Sequence, residues 1–133
     1  MSVAVFVVED QQVLRETLVD YLRIQADIEV SGFAESVEGA SKALKNLGPV
    51  LVLLDLSLGE RSGFDLLEEV VREGRHRCLI VSGHAESSYV RRGLTAGARG
   101  YVLKGNAKEI PDAIRTVMAG RIFVSAALDD TLS

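Results

Sequence analysis

The most constraining feature of the chain is an uninterrupted apolar run that ends in an acid. Residues 50–54 read VLVLL, and Asp55 follows directly. A strand with apolar residues on both faces belongs in the interior of a parallel sheet, where helices cover both sides. In such sheets, ligands bind in the crevice beyond the carboxyl ends of the strands. The sequence therefore predicts that Asp55 lies in a binding site.

Strand-like and helix-like patterns alternate along the whole chain. Apolar runs predict five strands, at about 3–8, 28–33, 50–55, 77–82 and 98–103. Apolar residues at helical spacing predict five helices, at about 11–24, 37–47, 64–74, 87–96 and 110–118. This alternation is typical of βαβ units stacked around a parallel sheet, and so it predicts an α/β fold.

Local sequence signals predict three further features of the helices. Ser36 is a candidate N-cap for the second helix. Gly93 lowers the stability of the fourth helix by about 1 kcal/mol relative to alanine, so we expect this helix to be the most mobile. In the first helix, the predicted buried stripe consists of Val13, Leu14, Thr17, Leu18, Tyr21 and Leu22.

Composition limits the class of protein. At 133 residues, with 47% hydrophobic and 26% charged residues, the chain has the size and composition of one globular domain. Its net charge of −4 argues against direct binding of nucleic acid. The single cysteine, Cys78, lies in an apolar run and is predicted to be buried. We expect neither a signal peptide nor a membrane span, and a cytoplasmic location.

Polar residues follow four of the predicted strands. Glu9 and Asp10 follow the first, Asp55 ends the third, Ser82 ends the fourth and Lys104 follows the fifth. Each residue alone could be explained by helix capping or by solvation. However, the carboxyl ends of parallel strands share one edge of the sheet, so these residues are predicted to lie close together.

Together these residue types suit phosphoryl chemistry. A carboxylate can attack phosphorus, and carboxylate oxygens bind a hard cation such as Mg²⁺, which fits this set better than zinc. A lysine and a hydroxyl can contact phosphoryl oxygens.

These residues resemble the receiver domains of two-component response regulators, over essentially the whole chain. The landmarks are Glu9-Asp10, Asp55, Gly63, Ser82-Gly83, and Tyr101 placed three residues before Lys104. The resemblance implies a flavodoxin-like (βα)5 doubly wound sandwich. Its five-stranded parallel sheet would have the order 2-1-3-4-5, with helices on both faces.

The resemblance also implies roles for individual residues. A sensor histidine kinase would transfer a phosphoryl group to Asp55 in a Mg²⁺-dependent reaction. The metal ligands would be Glu9, Asp10, Asp55 and the main-chain carbonyl of Ser57. The residues that bind the phosphoryl group and switch would be Ser82, Gly83, Tyr101 and Lys104, with Tyr101 turning inward behind Ser82. Beyond self-phosphorylation and self-dephosphorylation, no enzymatic activity is implied.

The end of the chain indicates a subtype. Residues 97–104 (GARGYVLK), Ile114-Arg115 and Gly120-Arg121 resemble the receivers of LuxR/NarL-type transcription regulators. This implies a receiver domain at 1–122, with 123–133 as a C-terminal extension or the start of a linker to a helix-turn-helix domain that is absent here. Contact with DNA would occur only through that domain, and phosphorylation would favour a homodimer, with the first and last helices as candidate interfaces. The alternative is a stand-alone single-domain regulator that acts by protein–protein interaction.

The loop after Asp55 departs from the family pattern. Residues 56–60 read LSLGE and lack the Met-Pro that is usual two or three places after the aspartate. Ser57 and His84 occupy positions that, in the family, tune the access of water to the phosphoryl group. The lifetime of a phosphate on Asp55 is therefore open.

Two other functions are less well supported by the residues. A phosphatase, a phosphotransferase, or a flavin- or nucleotide-binding protein is disfavoured, because no G-x-x-x-x-G-K loop follows the first strand and no second acid lies two residues after Asp55. A degenerate receiver that signals without phosphorylation is disfavoured, because the acids, the hydroxyl and the lysine are all present.

Overall fold

A parallel β-sheet forms the centre of this computed structural model, which describes residues 2–58 and 62–128. Within these residues the strands are β1 (Val3–Val8), β2 (Ile28–Ala34), β3 (Leu51–Asp55), β4 (Arg77–Ser82), β5 (Gly100–Leu103) and β6 (Phe123–Val124). Their order is β2-β1-β3-β4-β5-β6, and every pair is parallel. The five predicted strands are present in the predicted order.

The helices alternate with the strands, as the periodicity predicts. They are α1 (Gln12–Ile24), α2 (Val37–Leu44), α3 (Gly63–Glu73), α4 (Ser87–Thr95) and α5 (Ile110–Met118). A 3₁₀ helix at Lys104–Glu109 precedes α5, and another lies at Ala126–Leu128. In the part of the chain that the structure describes, no helix is long and apolar enough to cross a lipid bilayer.

The two ends of α2 show how local hydrogen bonds set a helix. The Ser36 Oγ accepts the Gly39 N–H at 3.0 Å, which confirms the predicted N-cap. The predicted end at residue 47 is wrong, because the helix stops at Leu44. Beyond it, the Leu47 N–H bonds three residues back to Leu44, and the Arg75 guanidinium donates to the carbonyls of both residues.

The sheet is buried on both faces, so it forms two hydrophobic layers. One layer packs against α1 and α5 and includes Val5, Val7, Leu51, Leu53, Leu79 and Val81. The other packs against α2, α3 and α4 and includes Phe6, Val8, Val52, Leu54, Cys78 and Ile80. All five residues of β3 are buried, as predicted for a central strand, and Cys78 is buried too. The fold is thus the doubly wound α/β sandwich that was predicted.

The buried face of α1 differs from the predicted stripe. Val13 is 79% exposed and Thr17 is also exposed. The buried residues are Arg15, Leu18, Val19 and Leu22, which follow the i, i+3, i+4, i+7 spacing. The predicted stripe is confirmed at Leu18 and Leu22 and is wrong at Val13 and Thr17. Arg15 was missed because a charged residue was not expected on the buried face of the helix.

The C-terminal residues extend the sheet beyond the five predicted strands. Phe123 and Val124 pair with β5 as β6. The buried Ser125 hydroxyl accepts the Leu103 N–H at 3.2 Å and donates to the Glu109 carboxylate at 2.6 Å. Residues 123–128 therefore pack onto the sheet, while 129–133 lie outside the described residues.

Gly93 of α4 has a packing role that propensity alone does not reveal. It is buried, and a Cβ at this position would lie 2.6 Å from the Cδ1 of Ile80. The glycine thus lets α4 approach β4 closely, whatever it costs in helix propensity. The greater mobility of α4 remains a prediction.

Candidate functional site

The register of the parallel strands brings the predicted site residues to one edge of the sheet. Val8 pairs with Leu54, so Glu9 lies level with Asp55. Asp55 in turn pairs with Val81, the residue before Ser82. Ser82 pairs with Leu103, and Lys104 follows. The predicted residues form a continuous row across β1, β3, β4 and β5.

At the centre of this row, one ammonium group lies between two buried carboxylates. The Lys104 Nζ is 3.0 Å from the Asp55 Oδ2 and 3.3 Å from the Glu9 Oε1. Asp55 is 3% exposed and Glu9 is 2% exposed. The main-chain N–H of Ser57 donates to the Asp55 Oδ1 at 3.0 Å, so both oxygens of the Asp55 carboxylate are held.

Burial and the neighbouring charges shift the pKa of two members of this cluster. Burial, together with the neighbouring Asp55 charge, raises the pKa of Glu9 to about 7, although the Gln11 N–H bond opposes this. Partial burial acts to lower the pKa of Lys104, but the hydrogen bond and charge of Asp55 prevail and raise it above its ordinary value. Lys104 therefore keeps its positive charge.

Three acidic residues lie close enough together to hold a metal ion. Glu9, Asp10 and Asp55 each offer one carboxylate oxygen, and these atoms lie within 4.8 Å of one another. Asp10 is exposed and Glu9 and Asp55 are buried, so the cluster opens to solvent on one side. Oxygen ligands with an open side suit Mg²⁺, which keeps several of its waters. The residues present thus fit a magnesium ion.

A second group of predicted residues lies beside the first, around Ser82. The fully buried Ser82 hydroxyl accepts the His84 N–H at 3.1 Å. Tyr101 is also fully buried, and its hydroxyl donates to the His84 carbonyl at 2.7 Å. Burial raises the pKa of Tyr101 to about 12, so its phenol stays protonated. Tyr101 thus points into the molecule, towards the main chain that follows Ser82.

The side chain of His84 contacts α4. Its ring stacks on Tyr89 with centroids 4.2 Å apart, and its Nδ1 lies 3.5 Å from the Glu86 carboxylate. Gly83 is exposed between Ser82 and His84. The predicted effect of His84 on dephosphorylation remains a prediction, as does the part of Gly83 in phosphoryl binding.

Gly63 allows α3 to begin directly against the site. Its N–H donates to the Leu56 carbonyl at 2.9 Å. A Cβ on Gly63 would lie 2.6 Å from the Asp55 carbonyl oxygen and 2.5 Å from the Leu56 Cα. The landmark glycine is therefore required by a close approach of two backbone segments. Of the atypical loop 56–60, Gly59 and Glu60 lie outside the described residues.

One residue at this edge was not predicted from the sequence. The Arg15 guanidinium donates to the main-chain carbonyl of Glu9 at 2.9 Å. The sequence signal that could have found it is the spacing of Leu18, Val19 and Leu22, three, four and seven residues after Arg15, which places Arg15 on their face of the helix.

Comparison with known proteins identifies the family of this chain. Residues 5–115 match the response regulator receiver domain family. The chain is 31% identical over 133 residues to the transcriptional regulatory protein DesR of Bacillus subtilis (98% of this chain, 66% of DesR). It is 34% identical over 121 residues to the DNA-binding transcriptional activator DevR/DosR of Mycobacterium tuberculosis (90% of this chain, 56% of that protein). The chain thus spans about half to two thirds of the length of these relatives.

Solved structures show the same fold. A LuxR-family two-component response regulator from Aurantimonas sp. SI85-9A1 superposes with a TM-score of 0.93 at 25% identity, covering 99% of this chain and 96% of that one. The response regulator domain of Thermotoga maritima CheB superposes with a TM-score of 0.83 at 24% identity, covering 90% and 98%. The chain belongs to the receiver domains of response regulators.

Proposed function

We propose that this receiver domain accepts a phosphoryl group on Asp55 from a sensor histidine kinase. The observation that carries the proposal is the environment of the buried Asp55 carboxylate. Lys104 and the Ser57 N–H each donate a hydrogen bond to it, and the carboxylates of Glu9 and Asp10 lie close by. A carboxylate held in one orientation next to a fixed cation is prepared to attack phosphorus.

This arrangement supports the following transfer. A carboxylate oxygen of Asp55 attacks the phosphorus of a phosphohistidine, and the phosphorus–nitrogen bond breaks. The electron pair of that bond stays on the imidazole nitrogen, which takes up a proton, and an acyl phosphate forms on Asp55. The Lys104 ammonium, 3.0 Å from the Asp55 carboxylate, is close enough to follow the new charge onto a phosphoryl oxygen.

Glu9, Asp10 and Asp55 would hold Mg²⁺, with the Ser57 carbonyl as a further ligand. When bound, the ion neutralises negative charge that builds up on the phosphoryl oxygens. The support is the spacing of the three carboxylates, all within 4.8 Å of one another. Their negative charge exceeds that of Lys104 alone, which favours a cation.

Ser82, Gly83 and Tyr101 would report the phosphoryl group to the partner surface. The Ser82 hydroxyl would bond a phosphoryl oxygen and give up the His84 N–H that it now accepts. Tyr101 already points inward in this structure, and it would move together with His84 because its hydroxyl is bonded to the carbonyl of that residue. Ser57 and His84 would tune how quickly water removes the phosphate.

The output of this switch is proposed to be transcriptional. DesR is named a transcriptional regulatory protein and DevR/DosR a DNA-binding transcriptional activator. We propose a homodimer on phosphorylation, and control of DNA binding by a helix-turn-helix domain that is not in this sequence. In this scheme the receiver is a phosphoacceptor and not an enzyme with a separate substrate.

Incubation with acetyl phosphate tests the proposal. With Mg²⁺, the intact mass should rise by one phosphoryl group, and EDTA should prevent the change. Asp55→Asn should abolish it, while Asp20→Asn, a matched change at an exposed position on α1, should have no effect. A label that persists in Asp55→Asn would contradict the assignment.

A further inference from the structure

We infer that Arg15 is a positioning residue that sets the orientation of the Glu9–Asp10 acidic pair for metal binding. The inference rests on the proposed function of that pair. It adds a residue of α1 that has no place among the ligands or the phosphoryl-binding residues.

Arg15 is a buried charge whose closest described partner is not an acid. The residue is 9% exposed, and its guanidinium donates to the neutral carbonyl of Glu9 at 2.9 Å. The carboxylate of Glu35 lies 3.9 Å away and is 75% exposed, so it offers a long and solvent-screened ion pair. Burying a guanidinium is costly unless its hydrogen bonds are well made. The short bond to Glu9 is therefore the main interaction that the buried position provides.

This bond acts on the peptide unit between Glu9 and Asp10. The Glu9 carbonyl belongs to that unit, and its direction fixes how the main chain leaves Glu9 and enters Asp10. The other groups of Glu9 are held as well. Its N–H donates to the Ala34 carbonyl at 3.0 Å, and its Oε2 accepts the Gln11 N–H at 3.1 Å. Arg15 adds a hydrogen bond from a side chain to the main chain of the Glu9–Asp10 pair.

Asp10 depends most on this contact. Because Asp10 is exposed, packing contributes little to the direction of its carboxylate. The main chain must then aim it towards Glu9 and Asp55. A peptide unit that turned away from Arg15 would carry the Asp10 carboxylate out of the cluster.

The guanidinium is itself fixed by β2. The ring of Phe33 lies against it, with the Cζ of Arg15 5.5 Å from the ring centroid. Phe33 is 55% exposed, so this contact lies at the surface and Phe33 is not part of the core. Arg15, a residue of α1, thus contacts Glu9 at the end of β1 and Phe33 near the end of β2. Both contacts lie next to the acidic pair.

Metal affinity of single-site variants tests the inference. The free-ion EPR signal of Mn²⁺ measures binding directly, with Mn²⁺ as the probe. Loss of a residue that orients a metal ligand typically weakens affinity about 10- to 100-fold, so Arg15→Met should raise the Kd by at least about tenfold. Arg15→Lys keeps a charged donor for the carbonyl, and we expect its Kd within about threefold of wild type.

Arg23→Met is the matched control. Arg23 is exposed in the last turn of the same helix, about 12 Å further along its axis, and the change removes the same charge. Its Kd should equal that of the wild type. An equal loss of affinity in both variants would overturn the inference, because net charge alone would then explain the result.

Phosphorylation by acetyl phosphate separates positioning from general damage to the fold. In Arg15→Met, the Mg²⁺ concentration for half-maximal rate should rise about tenfold, while the rate at saturating Mg²⁺ falls by less than about threefold. A loss of the saturated rate with an unchanged half-maximal concentration would overturn the inference. If Arg15→Met does not fold by circular dichroism, Arg15→Gln replaces it with the same expected direction.

The two proposals fail in different ways. If wild type binds Mn²⁺ and Arg15→Met binds it equally well, the role of Arg15 is wrong and phosphorylation of Asp55 is untouched. If wild type is not phosphorylated, the proposed function fails, whereas Mn²⁺ binding still decides the role of Arg15.

Discussion

At the scale of single residues, the site is defined by an excess of buried negative charge. Two carboxylates, Glu9 and Asp55, share the single ammonium of Lys104. Burial and the charge of Asp55 therefore keep the proton on Glu9 to a pH of about 7. A cation bound by the cluster would relieve this repulsion, so metal binding and protonation of Glu9 are alternative ways to neutralise the same excess.

This balance predicts a pH dependence of stability in the metal-free protein. The pKa of Glu9 is raised from 4.5 to about 7 by folding. The folded state therefore binds more protons than the unfolded state between these values, and the free energy of unfolding should fall as pH rises from about 4.5 to about 7. The loss is on the order of 3 kcal/mol at most, at about 1.4 kcal/mol for each pKa unit. Lys104 does not contribute, because its pKa is raised above its ordinary value, outside this window.

Urea unfolding in EDTA between pH 5.5 and 8 measures this dependence. Glu9→Gln should flatten the decline, whereas Glu29→Gln, at an exposed position on β2, should leave it unchanged. An equally steep decline in Glu9→Gln would show that another group is responsible.

At the scale of elements, two backbone segments approach closely at the junction of β3 and α3, next to the site. Gly63 begins α3 where the backbone of Asp55 and Leu56 leaves no space for a side chain. The contacts are with backbone atoms, which cannot move aside as the end of a flexible side chain can.

Gly63→Ala should therefore destabilise the domain by more than about 2 kcal/mol, because an inserted methyl group forces the backbone to shift. Gly48→Ala is the matched control, since a Cβ there has no neighbour within 4 Å. Its free energy of unfolding, measured by urea titration, should stay within about 1 kcal/mol of wild type. Equal stability of the two variants would contradict the structure of this junction.

The elements also show which parts of the fold were predictable. The five longer strands were predicted from their apolar runs, because a buried parallel strand has a strong local signal. β6 was missed, because two residues carry no periodicity and their pairing depends on β5. The same limit explains Arg15. Its partner is a backbone carbonyl that folding brings to it, and the apolar pattern of α1 predicted Val13 and Thr17 to be buried instead.

At the scale of the whole molecule, chains of contacts link the site to two other parts of the fold. One path runs from Ser82 through His84 to Tyr89 on α4, which contacts Phe64 of α3 with ring centroids 5.3 Å apart. The other runs from Leu103, beside Lys104, through Ser125 to Glu109, the last residue of the 3₁₀ helix that precedes α5. Movement of Ser82 or Lys104 towards a phosphoryl group would therefore disturb both α4 and the C-terminal residues.

We expect this disturbance to change self-association. Beryllofluoride with Mg²⁺ mimics the phosphoryl group, and it should increase the sedimentation coefficient of the wild type towards that of a dimer. With beryllofluoride present, Asp55→Asn should keep the sedimentation coefficient that the wild type has in its absence. A coefficient that does not change in the wild type would contradict a phosphorylation-dependent homodimer of this domain.

Chemical trapping shows directly whether Asp55 itself carries the phosphoryl group. Borohydride reduces an acyl phosphate to an alcohol, so phosphorylated aspartate becomes homoserine. After acetyl phosphate, Mg²⁺ and borohydride, peptide mass spectrometry should find homoserine at position 55, and EDTA should prevent its formation. Homoserine at position 10, a reduced glutamate at position 9, or no reduced residue at all would contradict the account.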